Sequence, residues 1–452
     1  MKNNSSLSCI IRSLTACVFV FSSVSIGAQQ SFENLPPVLN ELIESAITND
    51  PYLAQTRHLK TAAEAESIAD RQLKDPKINL AYANLPIDTF DVNQEPMTQF
   101  QIGISQEFPG GKKRSLKSEQ KNIAGNRFPA LAANRRADIA RSITQLWSRL
   151  VAKKLALLLI KDDQILLEQL SNSLQSSYAS GLSSISQQDL LLAQLEITRL
   201  NEKYLQITSE LNSTQALLLE FASHEQVQDV LESVNNYVVG GNKVVLSTLP
   251  DFLVMANNLT LLSSSDFIQM QKRHPAAVAV DQRYKEQQLQ VQLEKQDYLP
   301  DWTLRAQYGY RENNPVGDSR ADFLTLGVTF DLPVFTRNRQ SQSVKAAQEK
   351  ASAAQLELDQ LLLGFSAKTQ SSIAQYKIVN ERIEIYQSQF LGQNQELVES
   401  YLAAYSAGNG SFSEFLRAKG NELNTQIDYL SLWSTRTSLS ADIHYLLTEY
   451  TL

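Results

Sequence analysis

Cysteine is nearly absent. The chain holds two in 452 residues, Cys9 and Cys17, both near the N-terminus. The rest can build no disulfide framework, thiolate metal centre or cysteine nucleophile. Histidine is as sparse: His58, His224, His274 and His444 are too scattered for an imidazole cage. Beyond the initiator, Met97, Met255 and Met270 make no thioether ladder for Cu(I) or Ag(I). No nucleophile elbow and no glycine-rich phosphate loop after a strand is present, so nothing points to an enzyme or a cofactor. The net charge of −7 argues against nucleic acid as a partner.

Long apolar runs are missing too, apart from the N-terminus. There, Lys2 and Arg12 precede an apolar run from Leu14 to Ile26, and Ile26-Gly-Ala28 offers a small-residue cleavage site. Residues 1–28 therefore read as a secretory signal peptide. Leu14-Thr-Ala-Cys17 resembles a lipoprotein cleavage box, but most of the apolar run follows Cys17, which favours cleavage near Ala28. Downstream, no run reaches the ~18 apolar residues of a membrane helix. The richest, Leu155 to Ile160, is stopped by Lys161-Asp-Asp163.

What the chain does have is a duplication. Thr98-Gln-Phe-Gln-Ile-Gly-Ile-Ser-Gln-Glu-Phe-Pro109 is echoed by Asp322-Phe-Leu-Thr-Leu-Gly-Val-Thr-Phe-Asp-Leu-Pro333. Gly103 maps to Gly327 and Pro109 to Pro333, each 224 positions on, and the same offset joins Pro51 to Pro275 and Pro76 to Pro300. A constant offset marks a tandem repeat. Both stretches alternate at period 2. Phe100, Ile102 and Ile104 oppose Gln101, Gly103 and Ser105; Leu324, Leu326, Val328 and Phe330 oppose Thr325, Gly327 and Thr329. Each has an alternating partner upstream, Ile78–Tyr82 and Trp302–Tyr310, the latter carrying Gly309 on its polar side. Two hairpins result, about 77–108 and 301–332, with strands of roughly the ten residues that a tilted transmembrane strand needs. They fit either a soluble core or a membrane wall. Tyr82, Trp302, Tyr308, Tyr310 and Phe323 fit either ordinary strand packing or interfacial girdles.

Between the hairpins the pattern is helical. A helix is expected from about Val38 to Lys74, kinked or divided at Asp50-Pro51, and another from about Ser265 to Tyr298, stopped at Pro300. A very long helix follows each hairpin, to about Ser177 and from Asn338 to Tyr405. Gly125 and Pro129 are weak points in the first. Ile139, Ile143, Leu146 and Leu150 form a coiled-coil seam in it, and Tyr376, Ile383, Phe390 and Leu397 repeat by seven in the second. Turns at 180–186 and 407–413 send return helices back, Gln187–Phe221 and Phe412–Leu447. The expected division is residues 29–221 as first repeat, 222–265 as a linker subdomain and 266–452 as second repeat.

Four strands cannot close a barrel, and lipid tolerates no open sheet edge. If the hairpins cross a membrane, chains must share one barrel, and a trimer supplies twelve strands, within the known range. The expected fold class is thus a mixed one, a membrane β-barrel continued by a long α-helical coiled-coil tube.

This plan resembles the TolC family of outer-membrane efflux channels over nearly the whole mature chain. Ile104-Ser-Gln-Glu-Phe-Pro109 followed by Gly-Gly-Lys-Lys-Arg114 is similar to the heavy-metal (CusC/CzcC-like) branch, as is Val328-Thr-Phe-Asp-Leu-Pro-Val-Phe335 followed by Arg337-Asn-Arg-Gln340. Tyr178-Ala-Ser-Gly181 and Tyr405-Ser-Ala-Gly408 resemble the two tip turns. The resemblance implies a homotrimer in the outer membrane, serving a periplasmic adaptor and an inner-membrane RND pump, with metal ions or small toxic compounds as cargo. A type I secretion duct for polypeptides is the alternative within the fold; a periplasmic coiled-coil scaffold is the alternative outside it.

Several site residues follow from the resemblance. Gly103, Gly309 and Gly327 would line the barrel lumen. Gly181, Ser183, Gly408 and Gly410 would form the adaptor-contact tips. Asp189 and Glu414, just after the tips, would make charged rings at the gate with Tyr405 beside them; acids in a first turn also suit the helix dipole alone. The family's gate arginine position falls on Gly410, so that network is incomplete. Lys112, Lys113, Arg114 and Lys117, with Arg337 and Arg339 in the matching place, would either face lipid phosphates or form a solvated cluster.

Overall fold

The computed structural model describes residues 35–180, 186–239, 243–244 and 264–450. The leader, the tip residues Gly181 and Ser183 and most of the linker's second half lie outside the described residues.

Helix α1 (Pro37–Asn49) and helix α2 (Pro51–Arg71) lead into strands β1 (Lys77–Ala83) and β2 (Gln99–Phe108). Helix α3 (Lys113–Ser180) runs 68 residues, about 100 Å at ~1.5 Å per residue. It passes through Gly125 and Pro129 without a break. Gly125 lies against α2, where an added Cβ would sit 3.2 Å from the Ala63 Cβ. Helix α4 (Gln187–Leu218) returns, followed by the short α5 (His224–Ser233), a 3-10 turn (Val234–Tyr237) and a small ribbon of β3 (Val238–Val239) and β4 (Lys243–Val244).

The second repeat then begins with α6 (Ser264–Gln271) and α7 (Pro275–Gln296). The expected continuous helix is therefore split. Proline at the first helical position lacks the N–H that a continuing helix would need. The residue before it turns outward as an N-cap: the His274 Nδ1 accepts from the Ala276 N–H at 3.1 Å. In repeat one, Asp50 does the same for Leu53 at 3.0 Å. Strands β5 (Trp302–Tyr310) and β6 (Phe323–Phe330) follow, then α8 (Gln340–Ile385), a π-turn (Tyr386–Phe390), α9 (Leu391–Ser406) and α10 (Phe412–Leu446).

The long helices share apolar seams. Ile139, Ile143, Leu146 and Leu150 are buried, and Trp147 meets Trp433 of α10 edge-on at 5.8 Å between centroids. The heptad expected in the second repeat holds only as far as Tyr376 and Ile383, which are buried. Phe390 and Leu397 are 44% and 43% exposed, and Val398 is buried instead. The cause is the π-turn. Its i→i+5 hydrogen bonding takes in one extra residue and moves the seam by one position.

The sheet order is β1-β2-β5-β6, all antiparallel. The helices follow the same order. Nearest the sheet α2 packs on α3, α3 on α7 and α7 on α8; beyond, α4 packs on α3, α3 on α10, and α10 on α8 and α9. The chain is a ribbon four strands wide that continues as a ribbon of helices.

Candidate functional site

The sheet has two chemically distinct faces, and its register makes each continuous. Ile78 pairs with Ile104, Ile104 with Ala306 and Ala306 with Leu326. Leu80, Ile102, Tyr308 and Leu324 form the next row. Towards the loops lie Tyr82, Phe100 and Tyr310; towards the helices lie Phe108, Trp302 and Phe330. Aliphatic rows are thus bracketed by aromatic ones. Phe100 and Phe108 stand about 27 Å apart along the strand, or about 20 Å once tilted, near the height of an apolar membrane band. This face is open: Leu324 and Leu326 are 70% and 74% exposed.

The other face carries Asn79, Gly103, Gln307 and Thr325 in one row and Lys77, Ser105, Arg305 and Gly327 in another. Gly103, Gly309 and Gly327 all fall here, as expected. Phe323 does too, because it pairs with Gly309. It therefore leaves the aromatic rows, and the Arg311 guanidinium covers its ring at 4.1 Å.

At the loop end, the second hairpin holds the first. Arg311 donates to the Pro96 carbonyl at 3.2 Å and to the Ala321 carbonyl at 2.6 Å. Arg320 donates to the Glu95 carbonyl at 3.1 Å and the Asn93 carbonyl at 3.4 Å.

At the helix end, the basic cluster divides. Lys113 is not a free surface cation: its ammonium lies 2.9 Å from carboxylate oxygens of both Asp297 and Asp301. Asp301 also accepts from the Gly110 N–H at 2.6 Å, and burial of its carboxylate is outweighed by this bond and by Lys113, which hold its pKa below the usual value. Arg114 donates to the Arg71 carbonyl at 3.3 Å. Lys112, Lys117, Arg337 and Arg339 remain exposed.

The second tip is a Schellman turn. The Gly408 N–H reaches the Tyr405 carbonyl and the Asn409 N–H reaches the Ala404 carbonyl, each at 3.0 Å. Gly408 takes φ +77°, and a Cβ on Gly410 would meet the Tyr405 nitrogen at 2.7 Å. Tyr405 packs on Phe412, and burial followed by the Asp189 charge raises its phenol pKa. Tyr405 and Asp189 are thus brought together. Asp189 also closes a capping box: its carboxylate accepts from the Ser186 N–H at 3.1 Å and the Ser186 hydroxyl at 2.9 Å. Glu414 is exposed in the first turn of α10 and pairs with nothing among the described residues.

A charged triad between α3 and α10 was not anticipated. The Lys419 ammonium lies 2.9 Å from Asp163 and 2.6 Å from Glu422, with all three side chains at most 16% exposed. Burial pushes the Asp163 carboxyl up to about 6 against the pull of Lys419. Burial disfavours the Lys419 ammonium, but its two carboxylates more than offset this and raise its pKa. A signal was present in the sequence: Ile160, Asp163, Leu167 and Leu174 step as a buried seam, with Asp163 in an apolar place.

Among the described residues no helix is long and apolar enough to cross a membrane, and no His/Cys/Asp/Glu group could hold a metal ion. The amphipathic sheet is the surface suited to lipid.

Residues 268–447 match the family model described as outer membrane efflux protein. No curated protein matches this chain in sequence. Its fold is that of solved channels along nearly the whole length. These include the outer membrane protein VceC from Vibrio cholerae (17% identity, 91% of this chain and 96% of that one, TM-score 0.69). CusC matches at 15% identity over 94% and 96%, with a TM-score of 0.72. The Campylobacter jejuni CmeC outer membrane channel matches at 15% over 92% and 86%, also at 0.72.

Proposed function

We propose that three copies of this chain close one barrel and form the outer-membrane exit duct of a tripartite efflux pump of the RND type. The observation that carries this reading is the four-stranded sheet with one apolar face, one polar face and two edge strands, β1 and β6. Such a sheet is stable in lipid only when its edges are paired. Three copies bring twelve strands. At ~4.8 Å spacing and a ~40° tilt the barrel is roughly 24 Å across, wide enough for a wet lumen lined by the face that carries Gly103, Gly309 and Gly327. The helical ribbon continues the wall into the periplasm, where the tips meet an adaptor.

The cargo class is metal ions or small toxic compounds, passed without chemistry. The motif resemblance to the heavy-metal branch and the fold match to CusC support the metal reading. A strain lacking the protein should become sensitive to metal salts or dyes while still secreting its polypeptides. Loss of a secreted polypeptide with unchanged sensitivity would refute the assignment in favour of a type I secretion duct.

A further inference from the structure

The tandem duplication offers a template for the contact between copies. Inside one chain, the end of repeat one seats on the start of repeat two's strand segment, and the described residues show the bonds that hold it. The Lys112 N–H donates to the Gln296 side-chain oxygen at 3.0 Å. The Gly110 N–H donates to Asp301, and Lys113 reaches Asp297 and Asp301. An added Cβ on Gly110 would fall 2.3 Å from the Pro300 carbonyl oxygen, so the two backbones touch.

Shifting each partner by the repeat offset moves this seam to the two open ends of the ribbon. Gln296 becomes Gln72, Pro300 becomes Pro76, Pro109 becomes Pro333 and Lys113 becomes Arg337. The amide, both prolines and the cation are kept. Two changes fit together. Val334 stands where Gly110 does and cannot approach as closely, and arginine, with the longer reach, replaces lysine. The acids also shift: Leu73 and Lys77 occupy the places of Asp297 and Asp301, and Asp75 lies midway between them. Arg337 and Asp75 are exposed and have no partner among the described residues of their own chain. The transferred register keeps Phe330 and Leu332 on the same sheet face as Ile78 and Leu80.

We propose that residues 331–340 of one copy seat on residues 72–77 of the next, with Arg337 paired to Asp75 and the Thr336 N–H donated to the Gln72 side chain. The proposal rests on the shared-barrel reading and names the residues of its seam. It also gives Arg337 a subunit partner in place of a lipid phosphate.

Two measurements test it on the full chain in detergent. In the first, Gln72→Cys with Thr336→Cys is oxidised, with each single-cysteine variant as control. Links between chains, in a ladder up to three copies, are expected from the pair alone. Lys112→Cys with Gln296→Cys should close within one chain and give no ladder. In the second, Arg337→Asp should lower the temperature at which the trimer dissociates, and adding Asp75→Arg should restore it. A trimer by mass that shows neither the ladder nor the rescue overturns the seam while leaving the trimer standing. A particle of one chain by mass overturns the shared barrel and the seam together.

Discussion

Asp163→Asn should stabilise this protein at neutral pH and leave it nearly unchanged in acid. The carboxyl sits in a seam position between α3 and α10, with one ammonium shared between it and Glu422. Burial raises its pKa from 3.8 to about 6. The folded form therefore holds its proton more tightly than the unfolded chain does. Stability is fully present below the unfolded value and is lost as pH rises through the folded one, between about 4 and 6. The two-unit shift corresponds to about 3 kcal/mol for the folded protein at pH 8, an upper bound because the group is coupled to Lys419. Asparagine has the shape of the protonated acid without the ionisation cost, and Lys419 keeps Glu422. At roughly 2 °C per kcal/mol for a large chain, the variant should melt about 5 °C higher than the wild type at pH 8 and level with it near pH 4. The assay is loss of helical circular dichroism on heating in detergent, read as variant minus wild type at each pH, so that other titrating groups cancel. A variant that melts lower at pH 8, or a difference that does not change with pH, would show that the Lys419 pair outweighs burial.

His274 titrates in the opposite sense: burial lowers its pKa from 6.5 to about 4, so its share of stability, present above 6.5, is lost as pH falls through that window. His274→Asn keeps a cap for α7 and should give a shallower melting-temperature slope between pH 6.5 and 4 than the wild type, though a lower melt at pH 7 from the lost ring contacts with Phe365 and Tyr445. Arginine at Ile102 or Leu326, on the apolar face, should cost roughly 2–4 kcal/mol of assembly, while Gly327→Arg, in open space on the polar face, should be milder; equal yields of folded oligomer from both faces would defeat the membrane assignment. Neutralising Asp189 and Glu414 together should reduce cation selectivity and divalent-ion block in single-channel recordings with the barrel intact, whereas unchanged conductance properties would leave both acids as helix-terminal groups only.

Most of the architecture was legible because strands and repeats announce themselves locally. Alternation from Phe100 to Ser105 and from Leu324 to Thr329 located the polar and apolar faces, and the constant offset revealed the duplication. What was missed depends on contacts distant in sequence or on one-residue register. The break before Pro275 has its signal in the match to Pro51, although the stretch from Ser265 to Tyr298 reads as one helix. Phe323 fits either strand packing or an interfacial girdle by sequence, and only its pairing with Gly309 shows that it lies on the polar face. Phe390 and Leu397 kept a perfect heptad on paper, which a π-turn cancels. Lys113 read as a surface cation because Asp297 and Asp301 lie in the other repeat. Asp163 looked like the end of an apolar run because its counter-ion lies in a helix of the second repeat.

The π-turn has a bearing on how such a chain can change length. The repeats keep one offset from Pro51 to Pro333, but the tip motifs Tyr178-Ala-Ser-Gly181 and Tyr405-Ser-Ala-Gly408 lie 227 positions apart rather than 224. The second repeat is therefore three residues longer between its strand and its tip. A residue gained inside an unbroken helix rotates everything beyond it by about 100°. At Tyr386–Phe390 one of the three surplus residues is taken into a widened turn, and Val398 occupies the seam beyond it. The widened turn has the form of an absorbed insertion, and it lets a wall of fixed pitch vary in sequence length away from its loops.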